Sequence, residues 1–247
     1  MKTEKNRARP LPALLLAAGL GTRLSPITDA IPKCLVPING IPLLGIWLDM
    51  LGSAGMEPLI VNTHHFADRV ADFVKAGRWR EKTVLAHEPE LLGTGGTLLA
   101  NRRAYRDETV LVIHADNLSS FDVAAFVKRH DQRPASCVMT MMLFRTPTPE
   151  SCGIVELDDR GVVGAFHEKV DNPPGNLANA AVYLMEREAL DILAAQGKEK
   201  PDISLDLLPR CLGKMYTWEN QGYHRDIGTP ESYAAALREY RSAGTAK

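Results

Sequence analysis

Leu14 to Thr28 reads L-L-L-A-A-G-L-G-T-R-L-S-P-I-T. An apolar run that fits a buried strand, Leu11 to Ala18, passes straight into a glycine loop carrying Thr22 and Arg23. Glycine lets main-chain amides approach an anion with no side chain in the way. Arg23 adds a planar cationic fork that matches phosphate oxygens. The loop does not fit a P-loop, which needs Gly-Lys-Ser/Thr after a longer spacer. It also lacks the third glycine of the dinucleotide fingerprint. A Gly-x-Gly pair alone is weak evidence, because ordinary turns explain most such pairs.

Outward from this loop, apolar runs and amphipathic stretches alternate. Periodicity predicts helices over Leu43–Ser53, Ala67–Ala76, Thr94–Arg103 and Phe121–Arg129. It predicts strands over Glu57–Asn62, Thr83–His87 and Thr109–His114. Such β-α alternation implies an α/β domain with a mostly parallel sheet and helices on both faces. The second half is richer in strands, at Ser136–Phe144, Gly153–Leu157, Val162–Glu168, Ala178–Leu184 and Met215–Trp218. Helices are expected at Glu186–Ala195, Ser204–Leu212 and Pro230–Tyr240, the last with Pro in its first turn. No linker separates the halves, so residues 11–247 read as one domain behind a basic, disordered tail at 1–10.

The 247 residues are 45% hydrophobic and 24% charged, with 29 basic against 30 acidic side chains and a net charge of −1. That balance argues against a nucleic-acid surface, which wants a strong basic excess. Any anion site must be a local gathering of cations. Leu14–Leu20 is too short to span a bilayer, and no apolar segment of a signal peptide follows the basic start. The four cysteines form no C-x-x-C pair and read as reduced thiols of a cytoplasmic protein. Adjacent His64 and His65 point apart and lack a metal-binding partner spacing. Met139, Met141 and Met142 read as core.

The continuation Pro32-Lys33-Cys34-Leu35-Val36-Pro37-Ile38 makes the glycine loop specific. Together the two segments resemble the sugar-phosphate nucleotidylyltransferases, whose signature is G-x-G-T-R-L-x-P-x-T followed by P-K-x-L-[VL]-P-[IV]. Further matches follow in family order. Leu92-Gly93-Thr94-Gly95-Gly96 resembles the L-G-T-[AG]-G turn beside the base. His114-Ala115-Asp116 stands where the family has x-G-D. Glu168-Lys169 resembles E-K-P, Asn179-Ala180-Ala181-Val182-Tyr183 resembles N-A-G-[IV]-Y, and Asp226-Ile227-Gly228-Thr229-Pro230 matches D-I-G-T-P. The resemblance covers roughly Leu11 to Tyr240. It implies a single Rossmann-like domain with a mixed, mostly parallel central sheet, of the glycosyltransferase-A-like nucleotidyltransferase type.

The implied reaction joins a sugar 1-phosphate oxygen to the α-phosphorus of a nucleoside triphosphate. A phosphate monoester has a second pKa of about 6 and is largely dianionic near neutrality, so no general base is needed. The obstacle is repulsion between two anions, answered by cations, oriented amides and metal. By resemblance, Arg23 and Lys33 are expected on the phosphates. Ala17, Ala18, Gly19, Gly21, Thr22, Gly93 and Thr94 are expected around the nucleotide. Glu168, Lys169 and Asn179 are expected at the sugar phosphate, and Asp116 and Asp226 on Mg2+. Two other roles stay open: Asp116 could cap the next segment, and Asp226 the last helix, although Thr229 is better placed for that.

Glu88 and Glu90 precede the Leu92-Gly93-Thr94 turn. A carboxylate there could accept both the N1-H and N2-H of guanine, which favours GTP with a manno-configured hexose or heptose phosphate. Solvated loop charges are the competing reading. A uridylyl- or thymidylyltransferase, a cytidylyltransferase acting on phosphocholine, and a silent regulatory subunit are the alternatives. The last would be expected to lose Arg23, Lys33 or the paired aspartates. Ala115, Val170 and Ala181 depart from the family's usual Gly, Pro and Gly, and bear on the acceptor side. Assembly into a homo-oligomer is left open, since sheet edges are not visible in a sequence.

Overall fold

The computed structural model describes residues 9–106 and 108–240. The N-terminal tail therefore lies almost wholly outside the described residues. In chain order the elements are β1 (Ala13–Leu16), β2 (Pro37–Ile38), β3 (Ile41–Pro42), α1 (Leu43–Ser53), β4 (Leu59–Thr63), α2 (Ala67–Ala76), β5 (Thr83–His87), α3 (Gly93–Ala100), β6 (Val110–His114) and β7 (Asn117–Ser119). They continue with α4 (Val123–Asp131), β8 (Met139–Arg145), β9 (Gly153–Leu157), β10 (Val163–Glu168), β11 (Leu177–Met185), α5 (Arg187–Ala194), β12 (Met215–Glu219), β13 (His224–Asp226) and α6 (Pro230–Glu239).

The nine-stranded sheet is mixed. β5, β4, β1 and β6 run parallel, with Leu14 level with Ile60 on one side and Val112 on the other. Apolar side chains on both faces let these strands be buried on both sides, as a parallel sheet requires. β11 then runs antiparallel to β6 and to β8, while β12 closes the far edge parallel to β8. The hairpin β9–β10 joins the early part of β11 through Ala178 and Ile154. The register of β11 on β8 slips between Asn179 and Tyr183, where Ala181 takes the left-handed conformation at φ 54°. A glycine would take that conformation without the Cβ strain that Ala181 carries.

Leu15, Trp47, Val61, Ile113, Phe126 and Val182 fill one face of the sheet. Leu14, Ile60, Leu98, Val112, Tyr183 and Leu207 fill the other. Each such side chain, fully buried, contributes about 1.5–3 kcal/mol. Met139, Met141 and Met142 are wholly buried, as their pattern predicts. The predicted helix over 204–212 is instead a π turn at Ile203–Leu207 followed by a 3-10 turn at Leu208–Cys211. Pro209 lacks an amide hydrogen to continue the ladder. Thr229 caps α6 by accepting from Ser232 N at 3.2 Å, so Asp226 is free of that duty. No helix among the described residues is long and apolar enough to cross a membrane.

A buried polar knot ties β6, α4, β8 and α5 together. Glu186 Oε1 accepts from Thr109 Oγ1 at 2.7 Å, His130 Nε2 at 2.8 Å and Arg133 Nη2 at 3.0 Å. Burial alone would raise the Glu186 pKa, but these donors and the Arg133 charge outweigh it and hold the group near about 2. A depressed carboxylate stabilises the fold above its unfolded pKa, and that contribution fades as pH falls through the folded value. Glu186→Gln should therefore cost about 2–3 kcal/mol at neutral pH. Its deficit against the wild type should narrow between about pH 4.5 and pH 2. Denaturant unfolding across that range checks it, and a pH-independent difference would remove Glu186 as the cause.

Candidate active site

Parallel pairing places the C-terminal ends of β1, β4, β5 and β6 at one edge of the sheet. Ligands bind at that edge in open α/β sheets. The loop after β1 is held from below by Asn62, near the end of β4. Asn62 Oδ1 accepts from Ala17 N at 2.6 Å and Ala18 N at 3.2 Å. Its Nδ2 donates to Glu88 Oε1 at 2.9 Å. Thr97 Oγ1 donates to the same oxygen at 2.6 Å, and Leu92 N donates to Glu88 Oε2 at 3.2 Å. One buried amide and one buried carboxylate thus lock the glycine loop to the turn after β5 and to α3.

This lock shows which polar groups around the loop already have protein partners. The amides of Ala17 and Ala18 are paired with Asn62. Both oxygens of Glu88 already have protein donors, so it is an internal brace and not a solvated loop charge. Glu90 is 82% exposed, with Lys200 Nζ at 3.5 Å. The hydroxyl of Thr94 donates to Asp202 Oδ2 at 2.9 Å and accepts from Ile203 N at 2.8 Å. Gly95 N and Gly96 N donate to Pro201 O at 2.9 and 3.2 Å. A Cβ at Gly93, where φ is +76°, would meet that same oxygen at 2.8 Å. The glycines of this turn are needed for its close approach to the segment 201–203. His64 Nδ1 bonds Glu88 O at 2.8 Å, a structural contact.

Above the brace the loop opens. Nothing lies within 4 Å of a Cβ built at Gly19. Gly21 adopts φ 68°, and a Cβ there would meet Thr28 Cγ2 at 3.0 Å and Lys33 Cβ at 3.1 Å. Gly21 O accepts from Thr28 Oγ1 at 2.8 Å and from Leu24 N at 2.9 Å, which winds Thr22 and Arg23 into a 3-10 turn. Pro32 starts a further 3-10 turn through Leu35 N to Pro32 O at 2.8 Å, and this directs Lys33 inward.

Lys33 is only 4% exposed, and its Nζ lies 2.9 Å from Asp116 Oδ2 and 3.5 Å from Asp226 Oδ1. Arg23 Nη2 stands 4.0 Å from Asp226 Oδ2 and is 70% exposed at the mouth. The two carboxylates meet because β7 and β13 pair, with Asp226 level with Asn117. Gly228 leaves room for them, since a Cβ there would meet Asp226 Oδ1 at 2.9 Å and Arg23 Nη2 at 3.0 Å. Burial would raise the pKa of Asp116, but the Lys33 charge and hydrogen bond, with His114 nearby, prevail and lower it. Asp116 is thus anionic and paired, not a helix cap. Among the described residues no three His, Cys, Asp or Glu side chains converge as a metal site. Asp116 and Asp226 nonetheless fit magnesium, which takes one or two carboxylates and completes its shell with phosphate oxygens and water.

The residues expected at the sugar phosphate gather on β10 and β11. Asn179 Nδ2 donates to the Tyr183 hydroxyl at 2.8 Å, and its Oδ1 accepts from Ala181 N at 2.9 Å, which spans the register slip. Burial pushes the Tyr183 pKa up, and the charges of Glu168 and Asp202 add to that. Lys169 sits at φ 50°, 65% exposed, with Nζ 3.7 Å from Glu168 Oε1. Asn62, Thr97, Tyr183 and Asp202 carry weight that sequence reasoning gave them nowhere. For Asn62 a signal existed, as a lone amide ending the run Leu59-Ile60-Val61.

A family model described as Nucleotidyl transferase matches residues 12–243. The chain belongs to the nucleotidyl transferase family. Among similar members, a mannose-1-phosphate guanylyltransferase of Mycobacterium tuberculosis is 33% identical over 90% of this chain and 62% of its own. A UTP–glucose-1-phosphate uridylyltransferase of Synechocystis is 29% identical over 92% of this chain and 62% of its own. The chain therefore spans less than two thirds of the length of these curated relatives. A solved structure of HddC from Yersinia pseudotuberculosis, complexed with GMP-PN, superposes with a TM-score of 0.78 at 25% identity. That alignment covers 94% of this nucleotidyl transferase and 100% of the HddC chain.

Proposed function

We propose that this nucleotidyl transferase moves a nucleoside monophosphate from a nucleoside triphosphate onto a sugar 1-phosphate. The observation that carries this is the convergence of Arg23, Lys33, Asp116 and Asp226 above an open glycine loop. A phosphate oxygen of the sugar forms the new bond to the α-phosphorus. The bond from that phosphorus to the β-phosphate's bridging oxygen breaks, and pyrophosphate leaves with the electron pair. Arg23 faces the leaving phosphates and Lys33 the reacting centre, so charge is met as it develops. Mg2+ held by Asp116 and Asp226 would supply Lewis-acid neutralisation of the same charge. Glu168, Lys169 and Asn179 would hold the sugar phosphate.

GTP is the favoured donor and a manno-configured hexose or heptose 1-phosphate the favoured acceptor. The guanylyltransferase relative and the GMP-PN complex of HddC support this. Glu88 supports it less directly than its sequence position suggests, because its carboxylate acts through the turn it braces. The uridylyltransferase relative keeps UTP as the second reading. Product sugar nucleotides would serve surface-polysaccharide synthesis, in a cytoplasmic and magnesium-dependent setting. Pyrophosphate release with Mg2+, each of the five nucleoside triphosphates and a panel of sugar 1-phosphates tests all of this. GTP with a manno-configured acceptor should be fastest. Release with UTP but not GTP refutes the base assignment, and no release with any pair refutes the activity.

A further inference from the structure

We propose that His114 reads a hydroxyl of the sugar 1-phosphate and is a specificity-determining residue for the acceptor; this rests on the transfer reading above. Among the described residues, just two buried side-chain polar atoms lack a hydrogen-bond partner, His114 Nε2 and the Tyr105 hydroxyl. Tyr105 belongs to the apolar core beneath the sheet. His114 ends β6, two residues before Asp116. A buried imidazole nitrogen left unpaired is unfavourable, and an aliphatic side chain of similar size would avoid that penalty.

The surroundings of His114 say what its partner is. Towards the phosphates, the charges of Asp116 and Lys33 act on the ring. Away from them, the ring packs edge-on to Tyr183, centroids 6.3 Å apart and planes at 69°. The Tyr183 hydroxyl is bonded to Asn179, while Glu168 and Asp202 act on it electrostatically. Asp202 acts on His114 as well. The imidazole therefore stands at the border between cations suited to phosphate and a group of amide, hydroxyl and carboxylate side chains suited to carbohydrate hydroxyls. Anion contacts are already supplied by Arg23 and Lys33. A hydroxyl at this border meets the unpaired nitrogen as donor or acceptor.

The test measures kcat and KM for wild type, His114→Leu and His114→Gln, with the preferred sugar 1-phosphate and its set of monodeoxy analogues. Wild type should discriminate against one deoxy position by about tenfold or more. His114→Leu should lose about tenfold in acceptor kcat/KM, keep the KM for the triphosphate, and no longer discriminate at that one position. His114→Gln, which keeps a donor and an acceptor, should restore part of the preference. Thermal unfolding of His114→Leu should be no lower than wild type. If His114→Leu slows all acceptors equally and keeps the full set of hydroxyl preferences, the inference is overturned. If wild type releases no pyrophosphate with any pair, the function falls and the inference with it.

Discussion

Lys33→Met should fold and yet turn over about a thousandfold more slowly than wild type. The side chain has two tasks that methionine cannot share. Its ammonium bridges Asp116 and Asp226, at 2.9 and 3.5 Å, and so sets the spacing of the carboxylates. It is also the buried cation of the cleft, where a charge interacts far more strongly than at the surface. Methionine fills the slot beside Gly21, so the 3-10 turn at Lys33–Leu35 should persist. Asp116 loses its pairing charge, and two unbridged carboxylates repel each other and the phosphates. Steady-state rates with the best donor and acceptor check this, alongside thermal unfolding. A loss below tenfold in a folded variant would remove Lys33 from the reacting centre.

Asp226→Asn should lower kcat/KM by about a hundredfold to a thousandfold and raise the magnesium concentration needed for half-maximal rate. Volume and shape are kept, so Gly228 still accommodates the side chain. Asp226 is 55% exposed and caps no helix, so stability should change by no more than about 0.5 kcal/mol. Turnover equal to wild type at every magnesium concentration would take Asp226 out of the metal site. A loss of turnover with no shift in magnesium dependence would make its role the holding of Lys33 and Arg23 instead.

Much of the fold was legible because its signals are local. Leu43–Ser53, Ala67–Ala76, Thr83–His87 and Gly153–Leu157 have the predicted bounds, since periodicity and flanking breakers both act within a few residues. The ribbon of β7 and β13 was invisible, because strands of three residues carry no period and each finds its partner far along the chain. The site shows the same division. Arg23, Lys33, Asp116 and Asp226 could be named from motifs, and the structure brings them together. What those motifs do not reveal is which neighbour uses a polar group first. The side chains of Glu88 and Thr94 have protein partners in Asn62, Thr97 and Asp202, and of these Asn62 and Asp202 are distant in sequence. The amides of Ala17 and Ala18 likewise donate to Asn62, a partner that no local motif reveals.

The pairing of Asp226 with Asn117 also has a consequence for biogenesis. A nascent chain that has emerged through Met185 already owns the central strands, the glycine loop and Lys33. It has one carboxylate to hold against that lysine, and not yet the other. Only when β13 docks beside β7 does the second acid reach its place. The charge pattern of the cleft is thus completed only after β6 and β11 have both been made. Onset of turnover during synthesis would report the docking of β13 beside β7.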